Sequence, residues 1–280
     1  MKKSLLIALL ALLPLFAIAQ SAEDSLTVVN ADWNWTDLGN GAFSGSARLD
    51  LFGNPQYISI VKYPEASFNT QVLHAPAQLC NSTDSLARRV DALWAINGSY
   101  FDMGPIIPCT FFSIDGDVKS VTDPSELHRS DGLLIIPEED GKRIEIKLCD
   151  TTTLETVSKV NHIVLSAGPM LIYEGESREC LRQTGFYTGH HNRTVIGKDA
   201  EGTVYMMVVD GRFKGEAEGM AITQLTALCR YLGMHDALNL DGGGSSLIWT
   251  SLQGTLNHPS DNRTFDHKGG RRVPNIVYVK

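Results

Sequence analysis

The stretch Leu238–Trp249, LNLDGGGSSLIW, decides how the rest of the chain is read, because two apolar runs are separated by an acid, three glycines and two hydroxyls. Only a tight backbone needs that composition. Glycine tolerates positive φ and lets the main chain approach a ligand closely, and successive amides in such a turn can form an anion-binding nest. On this reading Asp241 stands beside donors from Gly242, Gly243 and Gly244, with Ser245 and Ser246 as further polar groups. A hairpin needs only one or two special φ values, so three glycines in a row point beyond a simple turn.

Outward from this loop the chain reads as short strands with few helices. Residues 47–51, 57–63, 132–136, 144–148 and 162–165 are short, β-rich runs bounded by Gly, Pro, Asn or Asp. Residues 194–197 and 204–209 read as an antiparallel hairpin, and 273–279 as a closing strand. Apolar residues at helical spacing predict helices over 84–94 and 222–232, the second stopped by Gly233. Residues 115–130 and 214–219 read as exposed loops. The expected fold is α+β, one domain over 20–280 with a mixed or antiparallel β-sheet core and a few helices packed on it.

Lys2 and Lys3, an apolar run over 5–12, Pro14 and then Ala17-Ile18-Ala19 have the form of a secretory signal peptide over residues 1–19. The expectation is an exported protein, periplasmic or extracellular, with no membrane span. A formal charge of −8 argues against a nucleic-acid partner, so an anionic ligand has to be met by a local cationic pocket. Cys80, Cys109, Cys149, Cys180 and Cys229 show no metal-ligand spacing; either disulfides form and Cys229, on an apolar helix face, is the free thiol of an odd set, or all five are buried thiols. His190 and His191 are adjacent and would face opposite sides of an extended segment, so no metal is assigned to them.

Four segments deliver polar residues from strand to loop: Ala95–Asp102, His191–Thr194, Val208–Arg212 and the glycine loop. Each Asp-Gly or Asn-Gly pair read singly is a turn. Read together, Asn97, Arg193, Thr194, Asp210, Arg212 and Asp241 converge on one cleft if their strands are neighbours. Two carboxylates, two guanidiniums, an amide and hydroxyls suit a sugar bonded to a phosphate. Arginine offers a planar fork matched to phosphate oxygens, while a carboxylate attacks an anomeric carbon or activates water. Asp241 and Asp210 are therefore the candidate catalytic pair, Arg193 and Arg212 the phosphate clamp, and Asn97 and Ser245 the expected holders of sugar hydroxyls. No cofactor is called for. Two rival readings share these residues: a metal-assisted phosphodiesterase with a cation between Asp210 and Asp241, and a non-catalytic glycan-binding module using Trp33 and Trp35 for stacking.

The same residues resemble the phosphodiester glycosidase family. Its pattern of an Asn-Gly strand end, a Gly-Pro turn, Arg-Thr with Gly, Asp-Gly-Arg, a helix and LDGGGSS corresponds here to Asn97–Phe101, Gly168-Pro169, Arg193–Gly197, Asp210–Arg212 and Leu240–Ser246. Ser99 and Tyr100 replace the usual Gly and Phe. Ala221 and Gln224 stand where a Thr/Ser…Glu capping box is common, which predicts a loss of about 1 kcal/mol at the helix start. The resemblance implies hydrolysis of the glycosidic bond of a sugar-1-phosphodiester in envelope or extracellular glycans, releasing the sugar and leaving a phosphomonoester.

Overall fold

The hairpin of Arg193–Lys198 and Thr203–Val209 shows how the core is divided, since its side chains alternate between two apolar clusters. Val204, Met206 and Val208 join one cluster; Met207 and Val209 join the other. A strand buried on both faces must be apolar at successive positions, and that is why 204–209 lacks an apolar–polar alternation. The computed structural model describes residues 22–137, 143–157, 162–178 and 182–280. The expected signal peptide lies outside them. Among the described residues no helix is long and apolar enough to cross a membrane.

This hairpin is central to an eight-stranded sheet ordered Asn34–Gly39, Ala42–Leu51, Asn54–Pro64, Thr203–Val209, Arg193–Lys198, Asp236–Asn239, Met170–Tyr173 and Glu176–Ser177. A second sheet runs Glu145–Leu148, Gly132–Pro137, His162–Ala167, Phe112–Ile114 and Asp117–Ser120. The third runs Gly254–Thr255, Ile248–Thr250, Trp94–Asn97, Asn275–Val279 and Thr70–His74. The pairings within all three are antiparallel, so the core is antiparallel rather than mixed. The main core contains Met206, Val208 and Leu238 from the first sheet, Leu134 and Leu165 from the second, and Ile96 and Val277 from the third. The helix Ile222–Tyr231 covers the other face of the large sheet, burying Leu225, Leu228 and Cys229 against Val195, Met207 and Ile60. The fold is α+β, as expected.

Three local expectations change. The helix predicted over 84–94 spans Thr83–Arg89, because Asp91 turns to φ +52° and the chain re-enters as the strand Trp94–Asn97. Trp94 and Ile96 enter the main core while Ala95 packs on the opposite side, so a doubly buried strand imitated helical spacing. Within 115–130 lie the strand Asp117–Ser120 and a 3-10 turn Pro124–Arg129, whose start is capped by the Asp123 carboxylate accepting the Ser125 amide at 2.8 Å. At the start of the long helix the Gln224 side chain accepts the Ala221 amide at 2.9 Å, which retains half of a capping box.

Candidate active site

Asp241 follows the central strand Asp236–Asn239, and a network behind it fixes its main chain. The Asn97 amide donates to the Asp241 carbonyl at 2.7 Å, and the Thr194 hydroxyl donates to Asn97 Oδ1 at 2.9 Å, with Ser246 Oγ at 3.1 Å. Asn97, Thr194 and Ser246 are fully buried. They hold the loop, and the expectation that Asn97 would bind a sugar hydroxyl gives way because both ends of its amide are engaged inside the protein. Ser245 is likewise buried, and its hydroxyl makes no well-formed bond to a described residue, although it lies close enough to help hold charge on Asp241.

The glycines are required by contact. A Cβ on Gly242 would come within 2.7 Å of the Asn192 carbonyl, and Gly243 has φ +63° with the Arg212 guanidinium 2.8 Å from its would-be Cβ. The expected nest of amide donors is mostly occupied, however. Gly242 N–H donates to the Asp241 carboxylate at 2.9 Å and Gly243 N–H to the Asn192 carbonyl at 2.9 Å.

In front of the loop is a pocket of about 240 Å³ lined by Tyr100, Arg129, Phe186, His191, Asn192, Arg193, Arg212, Asp241, Gly242 and Gly243. Burial raises the Asp241 carboxyl to about 6, opposed by the Ser245 hydroxyl, Arg129, the Gly242 amide and Arg271. Part of the side chain remains open to the pocket. Asp241 is the one carboxylate among the described residues lining it.

Arg193 is 2% exposed and donates through Nε to Met220 O at 2.8 Å, and through Nη2 to Phe186 O at 2.8 Å and Gly189 O at 3.1 Å. Burial, assisted by the charge of Arg212, lowers its pKa to about 10, so it stays charged at neutral pH. Arg212 is exposed at φ +68°, a costly conformation for a non-glycine residue and one that recurs at functional sites. Neither arginine has a carboxylate partner among the described residues. Arg129 pairs with Glu126 and lies 4.4 Å over the Tyr100 ring. Burial also lowers the pKa of His191, favouring its neutral form. The substituted Tyr100 gives its ring to the wall and turns its hydroxyl to the Gly168 carbonyl at 2.8 Å, while Ser99 accepts from Asn275 away from the pocket.

Asp210 corrects the expected catalytic pair. It is 0% exposed, its Oδ1 accepts from Asn257 Nδ2 at 2.9 Å, and its Oδ2 accepts from His258 N at 2.8 Å and Nδ1 at 2.9 Å. Burial raises its pKa against these bonds. It does not line the pocket, because both oxygens are turned into the loop at 257–258. Asn257 in turn donates to the Ser246 carbonyl at 3.1 Å, so Asp210 braces the glycine loop from behind. A cation bridging Asp210 and Asp241 finds no shared site here. Trp35, on the edge strand of the large sheet, stacks at 5.4 Å with Trp33 just before it, and neither lines the pocket.

Arg129 and Phe186 are pocket residues that composition and spacing did not single out, while Asn192 lies in the segment 191–194 that was singled out but carried no assigned role. Arg129 ends the 3-10 turn read as loop, and Phe186 sits in the four-residue helix Gly185–Thr188, too short to carry a periodic signal.

Residues 91–280 match the model of the phosphodiester glycosidase family. The human N-acetylglucosamine-1-phosphodiester alpha-N-acetylglucosaminidase is 28% identical over 198 residues, covering 65% of this chain, and the mouse enzyme of the same name is 33% identical over 102 residues, covering 34%. The aligned regions span 36% and 19% of those two proteins. The zebrafish enzyme's catalytic domain, solved auto-inhibited by its pro-peptide, has a similar fold, with TM-score 0.66 at 18% identity over 89% of this chain and 87% of that one.

Proposed function

From the premise that the chain belongs to the phosphodiester glycosidase family, we propose that it hydrolyses the bond between an anomeric carbon and phosphate in a sugar-1-phosphodiester. One observation carries this reading: a lone pocket carboxylate, Asp241, faces Arg193 and Arg212, which have no carboxylate of their own among the described residues. Such a pocket lacks a second carboxylic acid to protonate a departing alcohol. A phosphate needs none, because it leaves as a stable anion whose charge guanidiniums hold electrostatically. Asp241 acts at the anomeric carbon, directly or through water, and a carboxyl near 6 is mostly ionised at neutral pH. The relatives' names make N-acetylglucosamine-1-phosphodiesters the first substrates to try. The signal-like segment over 1–19 supports export and hence a periplasmic or extracellular glycan substrate.

Hydrolysis of an α-linked N-acetylglucosaminyl methyl phosphodiester in ¹⁸O-water tests the proposal. The label is expected in the free sugar, with methyl phosphate unlabelled, and Asp241→Asn is expected to lose about 10³-fold or more in kcat. Label in a phosphate product would mean cleavage at phosphorus and a phosphodiesterase. Full activity of Asp241→Asn would remove Asp241 from the mechanism.

A further inference from the structure

Asn192 is fully buried and lines the pocket between His191 and Arg193, with both of its oxygens engaged inside the protein. Its carbonyl accepts the Gly243 amide at 2.9 Å. Its side-chain Oδ1 accepts the Ser260 hydroxyl at 3.1 Å, which fixes the plane and direction of the amide. Its Nδ2 makes no hydrogen bond to any described residue. Leaving a buried donor unpaired costs about 1–3 kcal/mol, and at the wall of a pocket a catalytic role is one of the recognised reasons for keeping one.

We propose that Asn192 Nδ2 is a substrate contact, the neutral third donor to the departing phosphate beside Arg193 and Arg212. The inference rests on the glycosidase reading above. When the bond from the anomeric carbon to the bridging oxygen breaks, its electron pair goes to that oxygen and the phosphate changes from monoanion to dianion. The new bond to the anomeric carbon comes from Asp241 itself or from a water whose proton passes to Asp241. The charge that develops is therefore on the phosphate. A donor whose amide is oriented by Ser260 and which has no protein partner among the described residues gives up no hydrogen bond to meet that charge, which favours a contact made in the transition state. This also accounts for how a pocket with one carboxylate dispenses with a general acid.

The test combines turnover with phosphate binding in the full chain. In Asn192→Ala, kcat for the methyl phosphodiester is expected to fall about 10²-fold with KM changed less than about threefold, the split expected for a contact strengthened in the transition state. Calorimetric affinity for inorganic phosphate is expected to fall at least about tenfold, while the melting temperature stays within about 2 °C. A purely structural residue would lower the melting temperature and leave the affinity of the folded fraction alone. Asn192→Asp keeps the shape, sets an anion beside two arginines, and is expected to fold and to lose phosphate binding; retained binding there overturns the proposal even if Asn192→Ala fails to fold. Unchanged kcat or unchanged phosphate affinity in folded Asn192→Ala also overturns it. If the wild type turns over no phosphodiester, the reaction reading fails by itself, and calorimetry still decides the donor, against it if wild type and variant bind phosphate equally or the wild type binds none.

Discussion

Replacing Asp241 by Asn should stabilise the protein while removing its activity, and the stabilisation should depend on pH in a defined way. Burial moves the carboxyl from 3.8 to about 6. At about 1.4 kcal/mol per unit, ionised Asp241 costs the folded state up to about 3 kcal/mol. The side chain is partly open to the pocket, so solvent takes up some of that, and about 1–3 kcal/mol is expected at pH 8, or roughly 3–9 °C in melting temperature for a domain of this size. Below about pH 4 the carboxyl is neutral in both folded and unfolded chains, and the penalty vanishes. Between about 4 and 6 the unfolded chain gives up the proton that the folded chain keeps, so the wild type loses stability as pH rises. Above about 6 both states are ionised and the penalty is constant. Thermal melts of the two proteins from pH 4 to 8 should therefore diverge across that window and then run parallel. A difference independent of pH, or a less stable variant at pH 8, would refute the premise that an uncompensated charge is held in this pocket.

The same shift fixes a kinetic prediction: kcat/KM for the phosphodiester should fall as pH drops through about 6, and Arg129→Met should move that limb up by about half a unit or more, since the Arg129 charge holds the Asp241 carboxyl down. A limb that Arg129→Met leaves in place would count against their electrostatic link. The two clamp arginines should separate cleanly in paired melts and kinetics. Arg193→Met strands three backbone carbonyls and should cost about 3 kcal/mol or more. Arg212→Ala, exposed and free of protein hydrogen bonds among the described residues, should change stability by less than about 0.5 kcal/mol yet raise KM about tenfold or more; equal stability losses would contradict the distinction.

Much of the fold was legible because its signals are local. The hairpin 194–209 carries its turn between two apolar runs, and the helix Ile222–Tyr231 carries a one-sided apolar stripe and a terminal glycine. Legibility failed where burial on two sides erased periodicity. Trp94–Asn97 is buried at every position, so Leu86, Val90, Leu93 and Trp94 could be threaded on one helix face although the chain turns at Asp91. The segment 115–130 failed for the opposite reason, since a four-residue strand and one 3-10 turn present too few residues to show a period.

At the site, Asp210 and Asp241 look alike in sequence, each an Asp-Gly after an apolar run, and what separates them is contributed from elsewhere. Asn257 and His258, 47 and 48 residues beyond Asp210, take up its oxygens. Among the described residues no comparable partner closes over Asp241, whose carboxylate accepts the next residue's amide, has the Ser245 hydroxyl nearby and otherwise opens on the pocket. The glycine loop misleads in a related way. Its composition suits an anion nest, yet Gly242 and Gly243 direct their amides to Asp241 and Asn192, so the loop shapes the carboxylate's position rather than binding phosphate with its backbone. Anion recognition then falls to side chains on other elements. Arg193 comes from the neighbouring strand, and Arg212 from the loop after its hairpin partner, turned to φ +68°. The register that sets Arg193 opposite Val209 places both arginines at the same end of the sheet as Asp241, and the long-range pairing of these strands makes one pocket from three separate motifs.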